Sequence, residues 1–401
     1  MNSDKIIISG AGCAIADLIY NRVSFSSPEF AKYCSKRTGD GGLSPGKLVF
    51  TEELEKFSGK KYADILSELV GNGPPDAMNV GGPSLVALIH AAQMVDKNYF
   101  EVKFFGMVGN DDYADQIFKI VGKTPLDIRN YKSSAQMATP TTDVFSDPDF
   151  DNGHGERTFV NNIGAAWDFT PEQIGDEFFE AAVQCFGGTA LVPNFHDKLS
   201  TLLRRSKENE SITLANTIFD FRNEKNNPNH RWPLLRSSDD YELIDVLIMD
   251  CEEALKISGT ITIEEAALFF SNTKLSSFII TNGANDLYAW SNGNLFQKTN
   301  ILKFPVLQMI GQVLRSKPEL RGDTTRCGDN FVGGIITSLA LQLKSTTKGN
   351  FSLPEAISWG TSSGVFCCFT VGGTYLEQFP DEKRRKVQEI QNEYIKQLKP
   401  D

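Results

Sequence analysis

From residue 171 onward the chain alternates between two periodicities. Short apolar runs of strand length, TALVP (189–193), SITLANTIF (211–219), DVLIMD (245–250) and SSFIITNG (276–283), are separated by stretches with helical spacing at 171–182, 197–208, 251–257 and 263–272. Strands joined by helices are joined by crossovers, so they pair in parallel and are covered on both faces. The same alternation is present earlier. KIIISG (5–10) reads as a buried first strand, PSLVALIHAAQMV (83–95) as a helix with Leu85, Leu88, Ile89 and Ala92 on one face, and EVKFFGMVG (101–109) as a strand. DDYADQIFKIV (111–121) follows as a helix with an acidic first turn, and 329–398 is mostly helical.

Two segments break the pattern. Residues 22–76 hold the loop-rich TGDGGLSPG and GNGPP around a helical stretch at 51–69, and residues 131–163 are rich in Thr, Ser, Asp, Asn and Gly around the strand-like RTFVNNI. Both are expected to form a small β-rich lid or attachment. The expected fold is therefore α/β, one domain over 1–401, with a central, mostly parallel sheet, helices on both faces and that lid.

Composition narrows the function. With 401 residues and 40% hydrophobic content, the chain can bury a large core. A net charge of −11 argues against a nucleic-acid partner. No run reaches the length of a membrane span, and the apolar N-terminal stretch is flanked by Asp4 and Asp17, which suits a first strand better than a signal peptide. Seven cysteines without framework or zinc spacing read as reduced thiols in a cytoplasmic protein.

Common motifs fail. GxxxxGK[ST] is broken at Ile117, and GAGCAIA (10–16) departs from the dinucleotide fingerprint at Ile15. Four scattered histidines make no metal site, and no GxSxG is present. GDTTRCGDN (322–330) is different, because Gly328 and Asp329 open an apolar helical run. A helix N-terminus offers free N–H groups to an anion, and a carboxylate beside it can take a proton from a hydroxyl. An ordinary capping Asp with a turn glycine is the other reading of this stretch alone.

Taken in order along the chain, six elements resemble the ribokinase-like (PfkB) carbohydrate kinase family. Asp17 follows the first strand, Gly81-Gly82 opens a helix, and Gly106-Met107-Val108-Gly109-Asn110-Asp111 matches a strand–turn. Asp250-Cys251-Glu252-Glu253 stands for NxxE, Thr281-Asn282-Gly283 for TxGxxG, and Asp323-Thr324-Thr325-Arg326-Cys327-Gly328-Asp329 for DTTGAGD.

The resemblance implies ATP-dependent phosphorylation of a sugar hydroxyl. Asp329 would be the general base, and the backbone of Arg326, Cys327, Gly328 and Asp329 the anion hole. Asp17, Gly81 and Gly82 would contact the sugar. Thr281, Gly283 and the stretch 362–373 would line the nucleotide. Asp250 and Glu253 would hold Mg2+ through water, and Asp323 and Thr325 a monovalent cation such as K+. Asp111 would shape the substrate edge or a turn, and a homodimer could form through the lid. Arg326 for a small residue, Val86 for Asn, Ala114 and Asp286 for glycine and Asp250 for Asn are departures. They keep open a weakened, ligand-binding regulator. A nucleoside kinase of adenosine-kinase type is the other alternative, with Phe25, Phe30 and Tyr33 as candidate stacking residues. Among sugars, ribose, fructose and 2-keto-3-deoxy acids fit equally. An acid would need a cation such as Arg22, Arg129 or Arg157.

Overall fold

A computed structural model describes residues 5–37, 39–153, 155–307, 326–370 and 372–398. Its backbone is organised by β1 (Ile6–Gly12), which runs parallel between β5 (Phe100–Val108) and β9 (Val183–Gly187). The sheet extends on one side to β6 (Asp127–Ser133). On the other it extends through β10 (Ile212–Asn216), β11 (Val246–Asp250), β12 (Ser277–Thr281), β13 (Leu287–Ser291) and β14 (Leu302–Phe304). Pairing is parallel from β6 to β12, and β13 and β14 add on antiparallel. The mostly parallel sheet expected from the alternation is present, flanked by helices.

A second sheet joins β2 (Ile15–Tyr20), β3 (Leu48–Phe50), β4 (Ala77–Gly81), β7 (Thr141–Asp147) and β8 (Glu156–Asn162), in the order β3-β8-β7-β2-β4. Alternation along these strands gives it two unlike faces. Ala16, Leu18, Tyr20, Phe145 and Val160 point into a core with Phe30, Tyr33, Leu54 and Ile65. The helices of the long segment 22–76 thus cover the outer face of the small sheet, while residues between 35 and 49 border the cleft, and a second copy docking on the outer face would meet these helices rather than bare strands. Ile15, Asp17, Ile19, Thr142, Val144 and Phe159 face the other way, into a cleft.

Several elements differ from the sequence reading. The helical stretch 51–69 is two helices, Thr51–Ser58 and Tyr62–Val70, because Gly59 ends the first in the left-handed region at φ 73°. Residues 171–182 form 3-10 turns at Pro171–Gln173 and Asp176–Glu180 rather than an α-helix. The strand there is β9, not TALVP, which follows left-handed Gly188 and runs into Pro193, the start of a short helix. Residues 127–133 belong to the edge of the large sheet, so only the later part of 131–163 joins the small one. The helix Pro83–Met94 is buried on every side, not along one stripe, because it lies between the large sheet and the helix Cys327–Ser345.

Candidate active site

Asp329 sits in the first turn of the helix Cys327–Ser345. No side chain caps this terminus among the described residues, and a Cβ built on Gly328 would meet nothing within 4 Å. Free first-turn N–H groups of this kind are what an anion site uses. The helix is clamped in place. A Cβ on Gly333 would come within 2.7 Å of the Ala87 carbonyl, and one on Gly334 would strike the Trp359 carbonyl, so glycines let it press against Pro83–Met94 and Leu353–Cys367.

Arg326, just before this helix, points its guanidinium across the site. It ion-pairs with Asp17 on β2, and its Nη1 lies 3.5 Å from Asp329 Oδ2. The arginine that stands out in sequence thus ties the small sheet to the helix that carries Asp329. Gly81 makes this possible: a Cβ there would collide with Asp17 Oδ2 and come within 2.5 Å of Arg326 Nη2. Gly373 does the same on the other side, where a Cβ would stand 2.7 Å from Arg326 Cγ. Gly82, at φ 93°, turns the chain into the helix Pro83–Met94, with Ala14 Cα only 2.5 Å from where its Cβ would be. Burial pushes the Asp329 carboxyl up to about 6. Arg326 pulls it down and Asp17 pushes it up, but burial prevails.

A cleft of about 1540 Å3 separates the small sheet from the carboxyl ends of β10 and β11, where α/β sheets place ligands. Asp17, Asn79, Asp250, Glu253, Arg326 and Gly373 line it. Asp250 and Glu253 form a reciprocal cap at the start of the helix Cys251–Ser258. Glu253 N–H donates to Asp250 Oδ1 at 2.8 Å, and Asp250 N–H donates to Glu253 Oε2 at 3.1 Å. The Thr217 hydroxyl also donates to Glu253 Oε2, at 2.5 Å. Burial, then the neighbouring Asp250 charge, pushes Glu253 up to about 8. No group of three His, Cys, Asp or Glu able to bind a metal directly occurs among the described residues. Asp250 and Glu253 are two carboxylates at one helix start, and both line the cleft.

Thr281 ends β12 beside Asp250 in register, and Gly283 follows at φ 58° with open space around it. Neither reaches the cleft, so they belong to a neighbouring part of the same sheet edge. Asp323 and Thr325 lie outside the described residues. Within 362–373, Gly372 and Gly373 line the cleft beside Asn79 and Arg326, on the side of Asp17. Asp111 caps the helix Asp112–Val121 and accepts from the Thr139 N–H and hydroxyl, which is the turn role of the two expected for it. Phe25, Phe30 and Tyr33 are buried behind the small sheet and do not line the cleft. Arg157 does line it; Arg129 instead pairs with Asp127 on β6, and Arg22 is exposed away from it.

The sequence reading missed a buried polar hub under the site. Asn330 Nδ2 donates to the carbonyls of Arg326 and Gly373, each at 3.0 Å. Its Oδ1 meets His90 Nδ1 at 2.8 Å and Lys383 Nζ at 3.4 Å, and Lys383 also reaches Gln93 Oε1 at 3.0 Å. Burial pulls the Lys383 ammonium down to about 7. Asn330 thus locks the backbone on either side of the Arg326 side chain, and the residue after an apparent catalytic Asp was the one available signal.

The family profile described as pfkB family carbohydrate kinase matches residues 62–378. The chain belongs to this family. Solved structures agree on the fold. Adenosine kinase from Schistosoma mansoni in complex with 2-fluoroadenosine is 17% identical with TM-score 0.68, covering 92% of this chain and 96% of that one. Adenosine kinase from Anopheles gambiae in complex with P1,P4-di(adenosine-5) tetraphosphate is 21% identical with TM-score 0.65, covering 93% and 99%. Ribokinase from Thermotoga maritima is 16% identical with TM-score 0.61, covering 96% and 99%. The ribokinase-like fold expected from the ordered motifs is therefore the fold of this PfkB kinase. No described helix is long and apolar enough to cross a membrane.

Proposed function

We propose that this PfkB-family kinase transfers the γ-phosphoryl group of ATP to a hydroxyl of a sugar, with Asp329 as general base. The observation that carries the reading is the position of Asp329 in the first turn of a clamped helix, with Asp17 bridged to it by Arg326. The acceptor hydroxyl would lie between Asp329 and the γ-phosphorus. Its oxygen forms the new P–O bond, its proton passes to the Asp329 carboxylate, and the bond to the β-phosphate oxygen breaks to release ADP. A carboxyl near 6 is charged at neutral pH yet still basic enough to take that proton. First-turn N–H groups of Cys327, Gly328 and Asp329 would hold the transferring oxygens.

Asp17 and Asn79 would fix the other sugar hydroxyls, while the small sheet, acting as the lid, excludes water. Asp250 and Glu253 would hold Mg2+ through water, and the bound ion neutralises phosphate charge. Thr281 and Gly283 would border the nucleotide.

A nucleoside acceptor is the second reading. Phe159, Phe219 and Phe221 line the cleft, giving a base flat faces to stack on. Kinetics on ribose, fructose, adenosine and matched nucleosides, followed by ADP release, separate the two. Under the nucleoside reading, Phe219→Ala lowers kcat/KM about tenfold for the nucleoside. Turnover on free sugars only, with Phe219→Ala silent, leaves the sugar reading alone.

A further inference from the structure

The turn that carries the base is also where three thiols meet. Cys327 Sγ lies 3.4 Å from Cys368 Sγ. Cys368 closes the helix Leu353–Cys367, and Cys367 is the last residue of that helix. Cys327 and Cys368 are partly exposed, whereas Cys367 is buried, and all three are reduced. The helices are held together independently of the thiols, through Gly334 against Trp359 and Gly360 against Phe331. The packing fixes the two backbones, so the sulfur separation changes only through rotation about each cysteine χ1.

We propose that Cys327 and Cys368 form a reversible disulfide on exposure to a hydroperoxide, and that this bond switches off phosphoryl transfer. The pairing rests on the sulfur contact and on the shared exposure of the two thiols. The loss of activity rests on the kinase reading above. A thiolate of the pair attacks one peroxide oxygen, the O–O bond breaks, and an alcohol or water leaves. The sulfenic acid so formed is attacked by the second sulfur, the S–S bond forms, and water leaves. Two thiols are oxidised by two electrons in total, and one peroxide is reduced.

The sulfurs must close from 3.4 Å to a bond length of about 2 Å. That closure acts on Cys327, whose N–H belongs to the first turn holding Asp329. A displacement of about 1 Å in a positioned site lowers turnover on the order of 10²-fold. Cys327 also shares a hydrogen bond with the Cys367 thiol, but that sulfur is buried, so Cys368 is the partner that an oxidant from solvent reaches more readily.

The test uses the full chain, reduced and then treated with hydrogen peroxide. Free thiols are counted and alkylated, and tryptic peptides are mapped by mass spectrometry. Cleavage after Arg326, Lys344, Lys348 and Lys383 puts Cys327 on peptide 327–344 and Cys367 with Cys368 on peptide 349–383. We expect these two peptides cross-linked, two of the seven thiols lost, and turnover reduced tenfold or more and restored by dithiothreitol. Cys367→Ser should still form the link. Cys368→Ser should abolish it and keep turnover in peroxide. A link that persists in Cys368→Ser, or none in the native protein, overturns the site. A link with unchanged turnover overturns the switch. Because the cross-link is read without any activity, absence of phosphoryl transfer in the untreated protein counts against the kinase reading and not against the thiol pair.

Discussion

Replacing Arg326 by alanine removes one guanidinium from two carboxylates. Side-chain exposures are 17% for Arg326, 10% for Asp17 and 15% for Asp329, so neither carboxylate recovers full hydration when the arginine goes. Breaking a pair this buried costs about 3 kcal/mol, the low end of the range for buried pairs because some water remains. In a chain of this size that lowers Tm by about 5 °C. The effect on the base is larger than the effect on the fold. A unit charge about 4 Å away at an effective dielectric of about 20 is worth about 4 kcal/mol. Arg326 shares itself between two acids, so we take about half, and Asp329 should rise one to two units above its native value of about 6. The assay is the acid limb of kcat/KM against pH, with thermal melts at pH 8 and pH 5. Carboxyls raised above their unfolded values penalise the fold when charged and not when protonated. The Tm deficit should therefore be greatest at pH 8 and shrink at pH 5. An unmoved acid limb, or a deficit equal at both pH values, refutes the bridge as drawn here.

Three further outcomes follow from the same geometry. In the native protein, kcat/KM should fall about tenfold per pH unit below about 6, as Asp329 protonates; a flat profile to pH 5 speaks against this base. Gly81→Ala should push Asp17 and Arg326 apart, raising KM for the acceptor at least tenfold while KM for ATP changes little, measured by initial rates. Glu253→Gln should raise the Mg2+ concentration for half-maximal rate on the order of 10-fold at fixed ATP, because Gln cannot give up the proton that a cation would displace from Glu253; an unchanged Mg2+ titration would leave the pair as a helix cap only.

The large sheet was readable because its strands are short, apolar and separated by helices. β10, β11 and β12 appear where the apolar runs stand, within a few residues. TALVP misled because a run of apolar residues does not show that left-handed Gly188 and Pro193 bend it into a turn. The small sheet was not readable strand by strand. β2 pairs with β7, more than a hundred residues on, and Asp17 and Asn79 put polar side chains in strand positions. Asp329, Gly328, Gly81 and Asp17 were singled out through the order of their motifs, and the structure brings Asp17, Gly81 and Asp329 together around Arg326. Arg326 resisted interpretation because its partner Asp17 is 309 positions away. The Asn330–Lys383 contact spans 53 positions and carries no local pattern at all. Local chemistry survives in a sequence, whereas pairings made by the fold do not.

The central claim is that Asp329 takes the proton from an acceptor hydroxyl as ATP is cleaved. The direct measurement is ADP release by the native protein and by Asp329→Asn, with Mg2+, ATP and a panel of sugars and nucleosides, alongside calorimetric titration of ATP into both. The account predicts turnover on at least one acceptor, a loss of about 10³-fold or more in Asp329→Asn, and ATP affinity within a few-fold of native. Near-native turnover in Asp329→Asn, or no acceptor-dependent ADP across the panel from a protein that binds ATP, contradicts it.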